Sequence, residues 1–314
     1  MNILFIGNSR LGDAILSTGV LDLFNKNNNK ITIVCSSLSK EIYKGFTSVK
    51  KIIVIKKRKK SLHWIDVYKE LEKLKWDIVV DLRNTILSRI IRKRKIYRYS
   101  RASMDKHLLL DLKSLMKSEK ILIPKIYTTS EHIKRAKSFI KKISPENKIL
   151  AVAPVTNWKR KNWPLNNYKT LISKIIKNRK KYNISDIFIL GSPAENYLCE
   201  QLKSKINYGK VYNLAGNNDI LTTYELLKSC KIFIGNDSGL THLAAATNNK
   251  TLALFGPSKN ERYKPWGKNS YFVRTKESYA ELVEHSKYNR FEESSLMDGL
   301  SVVKVLKKFD EVMK

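Results

Sequence analysis

The chain has 314 residues, of which 42% are hydrophobic. This length suits two domains that each bury a core, and this composition excludes a disordered chain. The charge is unusual, because 61 Lys and Arg residues stand against 28 Asp and Glu residues, for a formal net charge of +33. Such an excess favours polyanionic partners such as phosphates or anionic lipid, although about half of it is compatible with ordinary solvated surface.

Cysteine usage and hydropathy exclude further classes. The three cysteines are widely spaced and form no C-x-x-C pair, so they predict neither a zinc site nor a disulfide framework and fit a reducing cytoplasm. The apolar runs are too short to span a bilayer, and no basic leader with an apolar signal segment opens the chain. We therefore expect a cytoplasmic protein, which could still lie at the inner face of the cytoplasmic membrane.

Short apolar runs alternate with amphipathic stretches from start to finish, which predicts α/β domains with parallel, doubly wound sheets and helices on both faces. The predicted strands of the first half are 3–7, 31–35, 52–55, 78–82 and 96–99. Helices are predicted after the first strand and at 62–74 and 131–142. A break near Pro145 predicts a linker, and hence domains at 1–145 and 146–314.

A second α/β cycle follows the linker. Its predicted strands are 149–153, 187–190, 211–214, 232–234 and 252–255. Its predicted helices are 166–178, 194–205, 223–228 and 240–247. Each half of the chain is thus expected to form one Rossmann-like domain.

The segment 235–246, Gly-Asn-Asp-Ser-Gly-Leu-Thr-His-Leu-Ala-Ala-Ala, carries the strongest chemical signal. A strand that ends in small and polar residues, followed by a helix that opens at Ser238 and Gly239, leaves several backbone N–H groups pointing at one place above the sheet. This arrangement predicts an anion-binding socket that suits a nucleotide diphosphate. The alternative is a plain turn in which Asp237 or Ser238 only caps the helix.

A second motif, Arg10-Leu11-Gly12-Asp13, follows the first predicted strand. Gly12 is expected to let the backbone turn tightly, and Asp13 to lie at the helix entrance, at the sheet edge where α/β domains bind ligands. From the residues alone, Asp13 is either a ligand-facing carboxylate or a helix cap. The chain has no G-x-G-x-x-G and no Walker motif, so we expect neither a nicotinamide cofactor nor P-loop ATP. Nothing in the sequence suggests a metal cluster, and no bound cofactor or metal is expected.

Together with four further motifs, these segments give the chain a resemblance to the bacterial heptosyltransferases of glycosyltransferase family 9, which add heptose to the lipopolysaccharide inner core. The further motifs are Asp81-Leu82-Arg83-Asn84, Lys161-Asn162-Trp163-Pro164, Gly191-Ser192-Pro193-Ala194-Glu195 and Phe255-Gly256-Pro257-Ser258. The resemblance implies the GT-B architecture, with two Rossmann-like domains facing each other across a cleft. It implies an acceptor site in 1–145 and a nucleotide-sugar site in 146–314. The implied reaction is an inverting transfer of heptose from ADP-heptose to a hydroxyl of Kdo or heptose.

The resemblance also implies residue roles. Asp13 matches the catalytic base, and Lys161 matches the basic residue that faces the leaving diphosphate. Six residues match or resemble donor contacts: Glu195, Asp237, Ser238, Gly239, Leu240 and His242. The alternatives are a helix-start role for Glu195, loop orientation or capping for Asp237, capping for Ser238 and packing for His242. The acceptor's carboxylates and phosphates would be recognised in the basic first half, where the candidates are Arg10, Gly12, Arg83, Arg89, Arg92, Lys93 and Arg94. The anionic membrane surface is a further expected partner.

One departure weakens the assignment of the donor's base and sugar, since 155–158 reads Val-Thr-Asn-Trp where relatives often show a Gly-rich turn. Two alternatives follow. The chain could transfer another nucleotide-activated sugar such as an N-acetylhexosamine, or it could be a non-catalytic polyanion-binding protein. The basic runs lack the interleaved aromatic residues of nucleic-acid modules, so no nucleic-acid partner is expected.

Overall fold

The computed structural model describes residues 1–56, 58, 62–100, 104–285, 288–289 and 291–314. The chain divides into two compact units, Met1–Thr129 and Ser130–Lys314. The division lies before α5 (Ser130–Ile143) rather than near Pro145, because this helix packs against α9 (Ile220–Lys228) of the second unit. The basic stretch at 56–60 includes residues outside the described part of the chain.

The first unit is a five-stranded parallel sheet with strand order β3-β2-β1-β4-β5. Its strands are β1 (Asn2–Ile6), β2 (Lys30–Cys35), β3 (Val49–Val54), β4 (Trp76–Asp81) and β5 (Lys93–Arg98). Its helices are α1 (Leu11–Asp22), α2 (His63–Leu71), α3 (Leu87–Ile90) and α4 (Leu108–Met116). A core of strand residues and the inner faces of α2 and α3 holds one side of this sheet together.

The second unit is a six-stranded parallel sheet with strand order β11-β10-β9-β6-β7-β8. Its strands are β6 (Ile149–Ala153), β7 (Asp186–Ile189), β8 (Val211–Asn213), β9 (Cys230–Asn236), β10 (Lys250–Phe255) and β11 (Ser270–Arg274). Besides α5 and α9, its helices are α6 (Leu165–Lys177), α7 (Arg179–Tyr182), α8 (Asn196–Ser204), α10 (Gly239–Ala246), α11 (Asn260–Tyr263), α12 (Tyr279–Val283) and α13 (Val302–Met313).

Each strand order reverses once, and this reversal fixes where a ligand can bind. In the first unit β1 lies beside β4, and in the second β6 lies beside β9, although neither pair is consecutive in the chain. The connections that leave such neighbouring strands turn to opposite sides of the sheet, which opens a crevice at their carboxyl ends. Ligands are therefore expected to bind at the connections that follow Ile6 and Asp81 in the first unit, and Ala153 and Asn236 in the second.

The helices of the second unit form because apolar residues recur at helical spacing. In α6, Tyr168, Leu171, Ile172 and Ile175 recur at intervals of three and four residues, and all four are buried. At the chain end, α13 buries Phe309 and neighbouring apolar residues in the same core. The sheet edge that carries the site is thus set on a rigid, densely packed base.

The predicted α/β class with parallel sheets and helices is confirmed, and all ten predicted strands are present within a few residues of their expected bounds. The prediction missed β11, an edge strand whose apolar run is only Tyr271-Phe272-Val273 and in which only Val273 is buried. It also missed α4 and α13. No helix in the described part of the chain is both long and apolar enough to cross a membrane.

Candidate functional site

Asn236, the last residue of β9, ties three segments of the second unit together. Its side chain is fully buried. Oδ1 accepts hydrogen bonds from the backbone N–H of Trp163, at 3.2 Å, and from the Tyr168 hydroxyl, at 3.0 Å. Nδ2 donates to the carbonyl oxygen of Pro154 at 2.7 Å. The loop between β6 and α6 is thereby held against the end of β9.

This tie brings Lys161 to Asp237. Lys161 Nζ lies 2.5 Å from Asp237 Oδ2, and the two side chains are 20% and 6% exposed. The ammonium also lies 5.5 Å from the centre of the Trp158 ring. Because the pair is largely shielded from water, its attraction is much stronger than that of an exposed ion pair.

The pKa of Asp237 lies below the ordinary value for aspartate. Burial is the largest single effect and would raise this pKa, but the charges of Lys161 and His242, together with hydrogen bonds from Lys161 and Ser258, lower it by more. Asp237 is therefore ionised at neutral pH. A carboxylate that is already bonded to Lys161 anchors that lysine, so the structure favours loop orientation as the role of Asp237.

The amino end of α10 is where the sequence predicts an anion socket. Ser238 occupies the N-cap position, yet its side chain makes no capping hydrogen bond. Within the described residues, its buried Oγ has no hydrogen-bond partner. The helix begins at Gly239, and its first backbone N–H groups, which include those of Gly239 and Leu240, have no acceptor inside the helix. The hydroxyl, these amides and the helix dipole together suit a bound anion.

His242 lies one turn into the same helix and is buried. Its Nε2 lies 3.9 Å from Asp237 Oδ1, on the carboxylate oxygen that does not bond Lys161. His242 therefore supports the Lys161–Asp237 pair from the side of α10.

Within the described part of the second unit, no hydrogen bond joins Glu195 to the group formed by Lys161, Asp237 and the start of α10. Its Oε2 accepts a hydrogen bond from the Ser192 backbone N–H at 2.6 Å, which is the helix-start role that the sequence left open. The side chain is half-buried at the carboxyl end of β7, so the same carboxylate can still be reached from solvent.

In the first unit, Asp13 is half-buried in the first turn of α1, and Arg10 rather than Asp13 occupies the N-cap position. The interpretation of Asp13 as the helix cap is therefore wrong. Gly12 also differs from expectation. It lies inside the helix and has no positive φ, so it makes no tight turn.

Arg83 lies on the neighbouring connection, after β4. The buried carboxylate of Asp81 accepts hydrogen bonds from the backbone N–H of Arg83, at 2.9 Å, and of Thr85, at 2.7 Å. These bonds fix a turn in which Asn84 has a φ of 52°. The Arg83 guanidinium lies 5.0 Å from the centre of the Trp64 ring, and burial lowers its pKa although the Asp81 charge opposes this. Arg83 is thus a fixed cation at the sheet edge that carries Asp13.

The other basic candidates lie elsewhere on the first unit. Arg10 is exposed next to Asp13. Arg89 and Arg92 flank the end of α3 and are exposed, while Lys93 and Arg94 open β5 at the opposite edge of the sheet from Asp13. The structure therefore places Arg10 and Arg83 at the carboxyl edge of the sheet with Asp13, and Lys93 and Arg94 at its amino edge.

Sequence reasoning missed Asn236 as a site residue. It also missed the support for the Lys161 loop, in which the buried guanidinium of Arg160 bonds the Asn289 carbonyl and lies over the Tyr288 ring. A buried amide at the end of a strand has no local sequence signal, because its partners are up to 82 positions away.

Residues 124–292 match the family model of glycosyltransferase family 9 (heptosyltransferase), which is more than half of the chain. Lipooligosaccharide heptosyltransferase 2 of Haemophilus influenzae is 24% identical over 312 residues, covering 87% of this chain and 88% of the relative.

Two solved structures share the fold over nearly the whole chain. A family 9 glycosyl transferase of Veillonella parvula has a TM-score of 0.81 at 18% identity and covers 99% of this chain and 97% of its own. The ADP-heptose lipopolysaccharide heptosyltransferase II of E. coli has a TM-score of 0.75 at 17% identity, with 100% and 98% covered. The family match, supported by this shared fold, shows that the chain is a glycosyltransferase that belongs to glycosyltransferase family 9.

Proposed function

We propose that this glycosyltransferase moves heptose from ADP-heptose to a hydroxyl of Kdo or heptose in the lipopolysaccharide inner core, with inversion at the anomeric carbon. The observation that carries the proposal is the grouping in the second unit of Lys161, paired with Asp237, with the unpartnered Ser238 hydroxyl at the amino end of α10, which suits a bound anion. The names of relatives in Haemophilus influenzae and E. coli support heptose, ADP and this acceptor class.

The socket suits the leaving diphosphate of the donor. As the bond between the sugar and the phosphate breaks, negative charge grows on the phosphate oxygens. Amides of Gly239 and Leu240 and the Ser238 hydroxyl would donate hydrogen bonds there, and Lys161 would supply the positive charge. The ribose hydroxyls would donate to Glu195. Each of these groups is fixed before the donor arrives, so little reorganisation is needed during the reaction.

Asp13 would act as the general base. It would accept the proton of the acceptor hydroxyl while the hydroxyl oxygen attacks the anomeric carbon and ADP leaves from the opposite face. Arg83 and Arg10, at the same sheet edge, would bind acceptor carboxylates or phosphates. All three cysteines are free and buried, which fits a reducing cytoplasm.

A donor screen tests the proposal. Purified protein is incubated with ADP-, UDP- and GDP-activated sugars and a truncated core acceptor, and products are identified by mass spectrometry. Transfer from ADP-heptose alone is expected. Transfer of an N-acetylhexosamine from a UDP donor instead would show that the transferred sugar is the alternative one and not heptose. The assignment to glycosyltransferase family 9 would not change.

Asp13→Asn tests the base. Loss of an acid–base group lowers the rate about 10²- to 10⁴-fold, so a decrease of this size in kcat is expected with unchanged donor affinity. Arg10→Gln is a matched control at the N-cap of the same helix, expected to affect acceptor KM. Near-normal kcat in a folded Asp13→Asn protein would contradict the assignment.

A further inference from the structure

Two isoleucines, Ile86 at the N-cap of α3 and Ile90 at its last position, are exposed although the helix itself is well anchored. Ile86 is 59% exposed and Ile90 is 54% exposed, and their spacing of four residues makes them neighbours on one helix face. Leu87 in the helix and Ile91 directly after it are buried in the core of the first unit. The two exposed side chains therefore stand on a fixed support and form an apolar pair, unlike scattered surface residues.

The surroundings of this pair are positively charged. Residues 82–100 contain seven Arg and Lys residues and no Asp or Glu. Arg89 lies between the isoleucines, and Arg92 and Arg94 follow at the start of β5, all exposed. Arg94 faces Asp77 at 3.5 Å, but its side chain is 86% exposed, so this pair hardly neutralises it.

We propose that this surface, the α3 face (Ile86, Arg89, Ile90, Arg92 and Arg94), docks on a bilayer that contains anionic phospholipid. Exposed apolar side chains surrounded by arginines are the two elements of an interfacial membrane site: the isoleucines enter the boundary between headgroups and acyl chains, and the arginines contact lipid phosphates. Charge complementarity and the apolar pair point to the same occupant.

Nucleic acid fits this surface less well. Isoleucine side chains gain nothing against a phosphate backbone, and base stacking needs free aromatic rings. The nearby tyrosines already have partners, since Lys95 lies over the Tyr97 ring at 4.8 Å and the hydroxyl of Tyr99, directly after β5, donates to Asp111. A second copy of the chain, paired along the open edge of β5, is disfavoured by the like charges on that strand.

The position of the α3 face gives it a use in the proposed function. The face begins at Ile86, a few residues after the connection at the carboxyl end of β4, and β4 is the neighbour of the strand that leads to Asp13. A protein docked on this face would keep the first unit, which carries Asp13, at the membrane surface, where a lipid-linked acceptor presents its sugars. This consequence rests on the proposed function, but the docking itself does not.

Vesicle co-sedimentation tests the docking without any sugar substrate. The full chain is mixed with vesicles of phosphatidylcholine alone or with phosphatidylglycerol added. Ile86→Ser/Ile90→Ser removes the apolar pair, and Arg89→Gln/Arg92→Gln/Arg94→Gln removes three charges. Matched controls are Tyr197→Ser/Val303→Ser, which replaces two exposed apolar residues, and Lys169→Gln/Lys174→Gln/Lys177→Gln, which removes three exposed charges from α6.

We expect wild-type protein and both controls to bind the anionic vesicles, and both α3-face variants to bind about tenfold more weakly or worse. Equal losses in the control and α3-face variants would overturn the proposal, because they would show unspecific attraction to a basic protein. The proposal would also be overturned if the wild-type protein failed to bind the anionic vesicles or bound neutral vesicles equally well. The same holds if the α3-face variants lost self-association or DNA binding but bound the vesicles as well as the wild type.

Folding and function are read separately. Unchanged thermal unfolding shows that a variant is folded, and Ile86→Ser/Ile90→Ser is expected to keep its transfer rate on a short water-soluble acceptor. Retained transfer with unchanged vesicle binding in this variant would reject the docking site and leave the proposed function standing.

Discussion

Lys161 and Asp237 are 76 positions apart in the chain, yet their charged atoms lie 2.5 Å apart at the carboxyl edge of the second sheet. One residue lies on the connection after β6 and the other on the connection after β9, the two strands where the strand order reverses. The topology of the sheet thus creates the contact, and Asn236 fixes its geometry.

Lys161→Met is expected to lower stability as well as transfer. It leaves the Asp237 carboxylate buried without its cation, which costs on the order of 3 kcal/mol in the free energy of unfolding. Transfer is expected to fall at least tenfold because the diphosphate loses its positive partner. Denaturant unfolding and steady-state kinetics measure the two effects.

The double variant Lys161→Met/Asp237→Asn separates these effects. With both charges gone, no unpaired charge is buried, so most of the lost stability is expected to return while transfer stays low. If the double variant instead recovers transfer, the positive charge of Lys161 has no catalytic use and its role is structural.

The pH dependence of stability follows from the lowered pKa of Asp237. A carboxyl group whose pKa is lower in the folded than in the unfolded protein stabilises the fold above the unfolded pKa of ~3.9, and this contribution disappears as the pH falls through the folded pKa. In Lys161→Met the buried carboxylate is instead easier to protonate. The stability difference between wild type and Lys161→Met is therefore expected to be largest near neutral pH and to narrow toward pH ~3. A difference that is constant with pH would show that Asp237 does not titrate as its position implies.

Much of the fold was predictable because parallel strands buried on both faces read as apolar runs. The strands at 149–153 and 232–234 have this pattern, and each was predicted within a few residues. The edge strand β11 was not, because its burial is shallow, and the unit boundary was displaced because the docking of α5 on α9 has no local sequence signal.

The sequence could predict only those features of the site that depend on residues adjacent in the chain. The amino end of α10 follows from Ser238 and Gly239 alone, since any helix start leaves unpaired amides. The bond from Lys161 to Asp237 and the burial of Asn236 depend on which strands become neighbours. No short sequence motif specifies strand order, so neither feature could be predicted. For the same reason the sequence grouped Arg94 with Arg83, although β5 places them at opposite ends of the sheet.

Asn236→Ala is expected to act through Lys161. The variant leaves the Trp163 N–H and the Pro154 carbonyl without their buried partner, which costs roughly 2–4 kcal/mol. The loosened loop no longer holds Lys161 in place, so kcat is expected to fall about tenfold, and to fall no further when Lys161→Met is added, because coupled residues are not additive.

Tyr168→Phe is the matched control for Asn236. It removes one of the bonds to the same Oδ1, costs about 1 kcal/mol, and leaves the bond to the Trp163 N–H in place. Its kcat is expected to stay near the wild-type value. If both variants lower kcat in proportion to their loss of stability, Asn236 has only a structural role.

Two substitutions of Glu195 separate its role at the helix start from its proposed contact with the donor ribose. Its carboxylate accepts the Ser192 N–H in the free protein, and Gln can keep that bond through its amide oxygen while Ala cannot. If ribose hydroxyls also donate to this carboxylate, Glu195→Ala is expected to raise the donor KM roughly 10-fold and Glu195→Gln several-fold, since hydrogen bonds to charged groups contribute about 1.5–3 kcal/mol. Because the ribose contact is the same in the bound and transition states, kcat is expected to remain unchanged. Loss of thermal stability in Glu195→Ala with an unchanged donor KM would leave Glu195 as a helix cap alone, and the ribose would then need another acceptor at the carboxyl end of β7.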